Sequence, residues 1–199
     1  NDGRALGAGA TMLERAIASD TAHHAAAFLL GVADQQLGRT DDAIRTLERT
    51  IRSDSNRPEA LRALAQAYVR AGRPTAPIVS LYERALSLQP ALAWIRAEYA
   101  DVLQASGQRE AAVRAYRDAL AEEPSLSAAW FNLGAVLVEE VKLDESVPAF
   151  REAVHLDPSL AQALAPLVAV RTTGKTVTGI RTLGTPLPSL PVRERGPRA

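Results

Sequence analysis

Residues able to do covalent or metal chemistry are scarce in this chain. It has no cysteine, which removes thiolate nucleophiles, disulfides and cysteine-ligated metals together. Of its three histidines, His23 and His24 are adjacent, so on a helix they point about 100° apart and cannot share a metal ion. His155 is the only other one, which disfavours a metal site. No serine sits in a recognisable nucleophile elbow. Thr173-Gly174-Lys175-Thr176 has the Gly-Lys-Thr order of a phosphate loop. That motif also needs glycine at 169, where Ala169 stands, and a strand before it. Pro188-Ser-Leu-Pro191-Val-Arg193 fits a PxxPxR polyproline ligand. Both strings fall in a stretch whose simpler reading is a solvated basic linker. Catalysis, cofactors and bound metals are therefore not expected. What remains is chemistry by recognition.

The elements that would position recognising side chains announce themselves by period. Pro90, Pro124 and Pro158 stand 34 residues apart, and the segments ending at them superimpose. The last complete unit reads Trp130-x2-Leu133-Gly134-x2-Leu137, then Ser146-x3-Phe150-x2-Ala153, closing on Pro158. The unit before gives Tyr99-Ala100-x2-Leu103, Ala112-x3-Tyr116-x2-Ala119 and Pro124. Earlier come Leu64-Ala65-x2-Tyr68, Tyr82-x2-Ala85 and Pro90. The first full unit has Leu30-Gly31-x2-Asp34 and Ala43-x3-Leu47-x2-Thr50, with Ser55 in the proline position. This in-phase series resembles the tetratricopeptide repeat (TPR), a 34-residue helix pair with the pattern W-x2-L-G-x2-Y…A-x3-F…P.

The resemblance implies an all-α fold, a right-handed α-solenoid of helix-turn-helix units at 24–57, 58–92, 93–126 and 127–160. The second unit carries one extra residue. Opening helices are expected near 24–37, 58–71, 93–106 and 127–140. Gly38, Gly72 and Gly107 follow the first three, where a left-handed C-terminal cap wants glycine. Closing helices should begin near Asp41, Pro77, Arg109 and Asp144, with the two aspartates as caps and Pro77 in a first turn. In the fourth unit Val141 replaces the loop glycine and Pro148 follows closely, which predicts a distorted loop. Gly72-Arg-Pro-Thr-Ala-Pro77 predicts a longer, stiffer one.

Residues 1–23 read as a partial repeat, a closing helix carrying Leu13-x2-Ala16-Ile17. Residues 159–170 (SLAQALAPLVAV) read as an apolar capping helix that could meet a second copy. Residues 171–199 read as a disordered basic tail. That tail holds six basic residues and one acidic, a charge of +5, which leaves −5 on the rest of a chain of net charge zero. A mildly acidic body disfavours nucleic acid as the ligand. No apolar run reaches the ~18 residues of a membrane helix, so membrane insertion is not expected. The first residue is Asn1 and no secretory leader is visible, so an internal or processed start is expected. Cytoplasm and periplasm both stay open, the cytoplasm slightly ahead.

In TPR domains the opening helices line a concave groove through their second, fifth, sixth, ninth, twelfth and thirteenth positions. Transferred here, the resemblance implies Phe28, Val32, Gln35 and Gln36, then Arg62, Gln66 and Arg70. Trp94, Glu98, Asp101 and Gln104 follow, and finally Phe131, Asn132 and Glu139. The core of the expected peptide-binding groove is Gln35, Arg62, Gln66, Arg70, Trp94, Glu98, Asp101, Phe131 and Asn132. Arg62, Gln66 and Arg70 share a helix face at i, i+4 and i+8, opposite Glu98 and Asp101, a split of charge suited to orienting a ligand. Trp94 could equally pack between units. The TPR subtype that grips the carboxylate terminus of chaperones needs Lys and Asn at set places. Only Asn132 matches, with Phe28, Val32 and Ala97 where polar groups are required. The expected function is a non-enzymatic scaffold for a protein or peptide partner. The alternative is a partner-selecting region of a larger enzyme with an upstream catalytic domain.

Overall fold

The computed structural model describes residues 2–19 and 24–163. The expected tail at 171–199 and the expected capping helix beyond residue 163 lie outside them. Among the described residues all regular structure is helical: α1 (Asp2–Ser19), α2 (His24–Gln36), α3 (Thr40–Ser53), α4 (Pro58–Arg70), α5 (Thr75–Leu88), α6 (Ala93–Ala105), α7 (Arg109–Glu122), α8 (Ser127–Glu139) and α9 (Leu143–Leu156), then a 3₁₀ turn at Pro158–Leu160. The pairs α2/α3, α4/α5, α6/α7 and α8/α9 stack in order into a right-handed α-solenoid, with α1 against α2. Opening helices α2 and α4, and α6 and α8, also touch one another. Pro90, Pro124 and Pro158 each stand two residues past a closing helix. Their missing N–H and fixed φ suit that place.

Every turn inside a pair has one hydrogen-bond pattern. Gly38 takes φ +75°, Gly72 +62° and Gly107 +79°. The next residue's N–H reaches back five positions: Arg39 to Asp34 O at 2.8 Å, Arg73 to Tyr68 O at 2.9 Å, Gln108 to Leu103 O at 2.9 Å. Val141 does the same at φ +61°, with Lys142 N bonded to Leu137 O at 2.8 Å. The fourth loop is thus not distorted as its sequence predicts; the cost sits on the valine, a branched residue in the left-handed region. Pro148 leaves α9 continuous, its ring on the exposed side.

The expected aspartate caps are also corrected. The turn places Arg39 and Lys142 at the caps, without side-chain bonds, so Asp41 and Asp144 fall inside the first turn. There they act on the helix dipole rather than on one N–H.

Small residues set the spacing within pairs. A Cβ on Gly31 would lie 2.6 Å from Leu47 Cγ, and one on Gly134 2.8 Å from the Phe150 ring. In the middle pairs the same place holds Ala65 and Ala100, with Tyr82 and Tyr116 buried in the core. Burying side chains of this size contributes about 1.5–3 kcal/mol each.

Candidate peptide-binding groove

Opening helices α2, α4, α6 and α8 form one face, and their polar side chains are bonded across every joint. At α2/α4, Gln35 Nε2 donates to Ala63 O at 2.7 Å, and Arg70 Nη1 donates back to Gln35 O at 3.2 Å. At α4/α6, Arg62 makes a two-pronged pair with Glu98, Nε to Oε2 at 2.7 Å and Nη2 to Oε1 at 2.5 Å. Gln66 Nε2 adds a third bond to Glu98 at 3.2 Å. At α6/α8, Asn132 Nδ2 donates to Asp101 Oδ1 at 2.8 Å, and Gln104 Nε2 to Glu139 at 3.3 Å. Glu139 also accepts from Arg109 Nε at 2.7 Å. The Arg62–Glu98 pair is largely shielded from water, with side chains 22% and 16% exposed. Planar two-pronged geometry makes this bond stronger than an exposed ion pair.

Besides Arg109, two buried closing-helix tyrosines that the sequence reading did not place here reach the same layer. Tyr82 Oη donates to Glu98 Oε2 at 3.4 Å. Tyr116 Oη donates to Asp101 Oδ1 in a short bond. The available signal was tyrosine at 82 and 116 where the last unit has Phe150. A hydroxyl at a buried ring position must find a partner. Burial pushes Asp101 up to about 6, against the opposing pull of the bonds from Tyr116 and Asn132. Burial likewise raises both tyrosines, with Glu98 adding to the rise at Tyr82 and Asp101 at Tyr116.

Trp94 lies under Arg62, whose guanidinium carbon is 4.5 Å from the ring centroid. The stack and the carboxylate, itself held by Gln66, fix the arginine. Arg62 and Glu98 therefore neutralise each other, and the expected split of charge across the face is closed within the protein. Phe131 is a further correction. It is 5% exposed, edge-to-face with Phe150 at 5.4 Å and covered by Leu160. The turn after α9 seals it into the core. Gln35 is buried in its joint, while Arg70 and Gln36 stay exposed and Gln66, Trp94 and Asn132 half-buried. Phe28 and Val32 pack on the α3/α4 core. Among the described residues no cluster of His, Cys, Asp or Glu could hold a metal ion, and no helix is long and apolar enough to cross a membrane.

The tetratricopeptide repeat family model matches residues 28–93 and 99–161, most of the chain. The chain belongs to the tetratricopeptide repeat family. Solved TPR structures superpose on it. MamA does so with TM-score 0.69 at 20% identity, covering 77% of this chain and 89% of MamA. YrrB, described as a TPR protein with an unusual peptide-binding site, gives TM-score 0.68 at 16% identity, over 81% of this chain and 82% of YrrB. At such identities the likeness establishes the fold alone. A comparison with curated proteins returns no match. As a TPR array, the chain is of a kind that generally serves as a non-catalytic interaction module.

Proposed function

We propose that this TPR array is a non-enzymatic scaffold that holds an extended or helical segment of a partner protein on the face made by α2, α4, α6 and α8. One observation carries the reading: the polar side chains of that face are fixed by bonds across all three joints before any ligand arrives. A surface already ordered confines the entropic cost of binding to the ligand. The contacts left for a partner are the spare N–H groups of Arg70, the free amide oxygens of Gln66 and Asn132, and the exposed edge of Trp94. A peptide-binding site in the structurally similar YrrB supports the same use here.

The test is capture on the immobilised full chain, identification by mass spectrometry, and titration of the captured segment by fluorescence anisotropy. Arg70→Glu combined with Asn132→Ala should weaken binding about tenfold or more while the melting temperature moves by only a few degrees. Arg62 is unsuitable for charge reversal, since a glutamate there would face Glu98. Arg114→Glu on α7 serves as the control and should bind as the unmodified chain does. Loss of binding in the α7 variant alone would move the site to the convex side.

A further inference from the structure

A second site lies away from that face, in the first pair. One position of each opening helix packs towards the closing helix before it. It holds Tyr68 in α4, Leu103 in α6 and Leu137 in α8, and Asp34 in α2. Leu103 and Leu137 are core residues, and Tyr68 ends on Glu48 of α3 through a 2.8 Å bond. Asp34 is just as deeply placed, 3% exposed, yet its Oδ1 has no hydrogen-bond partner. Arg39 Nη1 makes an ion pair with it at 3.6 Å from a half-exposed side chain, too long for a hydrogen bond. Buried acceptors without donors are rare, and each calls for a reason.

Beside Asp34 opens a concavity of about 450 Å³, reached by Glu14 of α1, Leu30 of α2 and Thr46 and Arg49 of α3. The corresponding place in the third unit encloses about 220 Å³ and is lined by Leu103, Ala111 and Ala115. In the first unit those positions are Asp34, Asp42 and Thr46. The same seat of the repeat is thus twice as roomy in one copy and polar at those three positions, while Arg96, Arg114 and Asp118 also line the smaller one.

We propose that this concavity is a binding site for an alkylguanidinium or alkylammonium group. Its N–H donors satisfy Asp34 Oδ1 and its apolar stem lies on Leu30, in the seat that Tyr68 fills one unit later. Charge favours a cation. Arg45 is ion-paired to Asp42, Arg52 to Glu48 and Arg39 to Asp34, but among the described residues Asp34 Oδ1 alone lies buried without a hydrogen bond, and Glu14 adds a second carboxylate across the opening. An anion would find Arg39 and Arg49 on the exposed rim but would meet the Asp34 carboxylate within. Burial also pushes the Asp34 carboxyl above the usual range, with Asp42 and Glu14 adding to the rise and Arg39 opposing it. A bound cation would relieve that cost.

The site is separate from the groove and stands or falls without it. Isothermal titration of the full chain with N-acetyl-arginine amide tests it, beside the neutral isostere N-acetyl-citrulline amide. The arginine compound should bind saturably and the citrulline compound about tenfold or more weaker. Asp34→Leu, which installs the residue of the later units, should lose about tenfold or more in affinity and melt no lower. Asp34→Asn gives the same reading should the leucine variant not fold. Arg70→Glu should bind like the unmodified chain. Agmatine binding as tightly as the arginine compound assigns the site to free amines, whereas a tenfold advantage for a blocked Ala-Arg-Ala peptide assigns it to a partner's side chain. Equal binding of citrulline and arginine, unchanged affinity in both Asp34 variants, or no saturable heat at millimolar ligand overturns the proposal.

Discussion

The two middle pairs and the two outer pairs solve one packing problem differently. In the middle, Ala65 and Ala100 face Tyr82 and Tyr116, whose hydroxyls pass through the layer to Glu98 and Asp101. At the ends, Gly31 and Gly134 let Leu47 and Phe150 close directly onto the opening helix. The packing within the middle pairs is therefore polar and linked from closing helix to concave face, while at Gly31 and Gly134 the outer pairs meet in a dry contact set by distance. A dry contact resists added volume; a polar one resists the loss of a partner. Substitutions should separate the two.

The largest effect should come from adding volume at a dry contact. A Cβ on Gly134 would meet three atoms of the Phe150 ring within 2.9 Å. Gly134→Leu must therefore part α8 from α9, at a cost of about 3 kcal/mol or more. In a solenoid each unit leans only on its neighbours. Hydrogen exchange should show protection lost over 127–163 and kept over 24–57, and uniform loss along the array would contradict that picture.

Next is the polar packing. Burial pushes the Asp101 carboxyl up to about 6 in the folded chain, above the ordinary value of 3.8. The folded state then binds more protons between those values, so stability falls as pH rises through that window. Asp101→Asn removes the charge and keeps an oxygen for the Tyr116 and Asn132 donors. Its stability relative to the unmodified chain should improve by on the order of 2 kcal/mol between about pH 4 and about pH 7.5. Urea melts of both chains at the two pH values measure it, and a difference independent of pH would place Asp101 in a wetter site.

A smaller effect is a gain. Val141 holds a left-handed turn that Gly38, Gly72 and Gly107 hold elsewhere, with no neighbour needing its side chain, which is 78% exposed. Val141→Gly should stabilise the chain by about 1 kcal/mol. A melting temperature that falls instead would mean the turn is not strained.

The repeat, its helices and the glycine turns could be read from residues alone, because period, proline and glycine act through local backbone geometry. So could the membership of one face by Arg62, Gln66 and Glu98. What they do there could not, since whether Arg62 reaches a ligand or Glu98 depends on how adjoining units are rotated. Phe131 escaped for a related reason. It shares its helical position with Arg62, and only the turn that brings Leu160 over it makes it core. The tyrosines did carry a signal, but the partner of each hydroxyl lies on another helix. Asp34 was visible as a departure from the motif; the room beside it was not.

The smallest effect should mark where pairing ceases to matter. Arg117 and Glu145 join the closing helices α7 and α9 on the outer side, as Arg62 and Glu98 join opening helices within. Their side chains are 53% and 51% exposed, so water competes for both charges and salt screens them. Arg117→Ala should change stability by only about 0.5 kcal/mol or less. Arg62→Ala should cost several times more, because Glu98 keeps its burial and loses its two strongest donors. Urea melts of the two variants in low and high salt give the comparison. Equal losses would mean that the concave pairs are as wet as the convex one, and that the fixed surface proposed for partner binding is fixed by backbone packing instead.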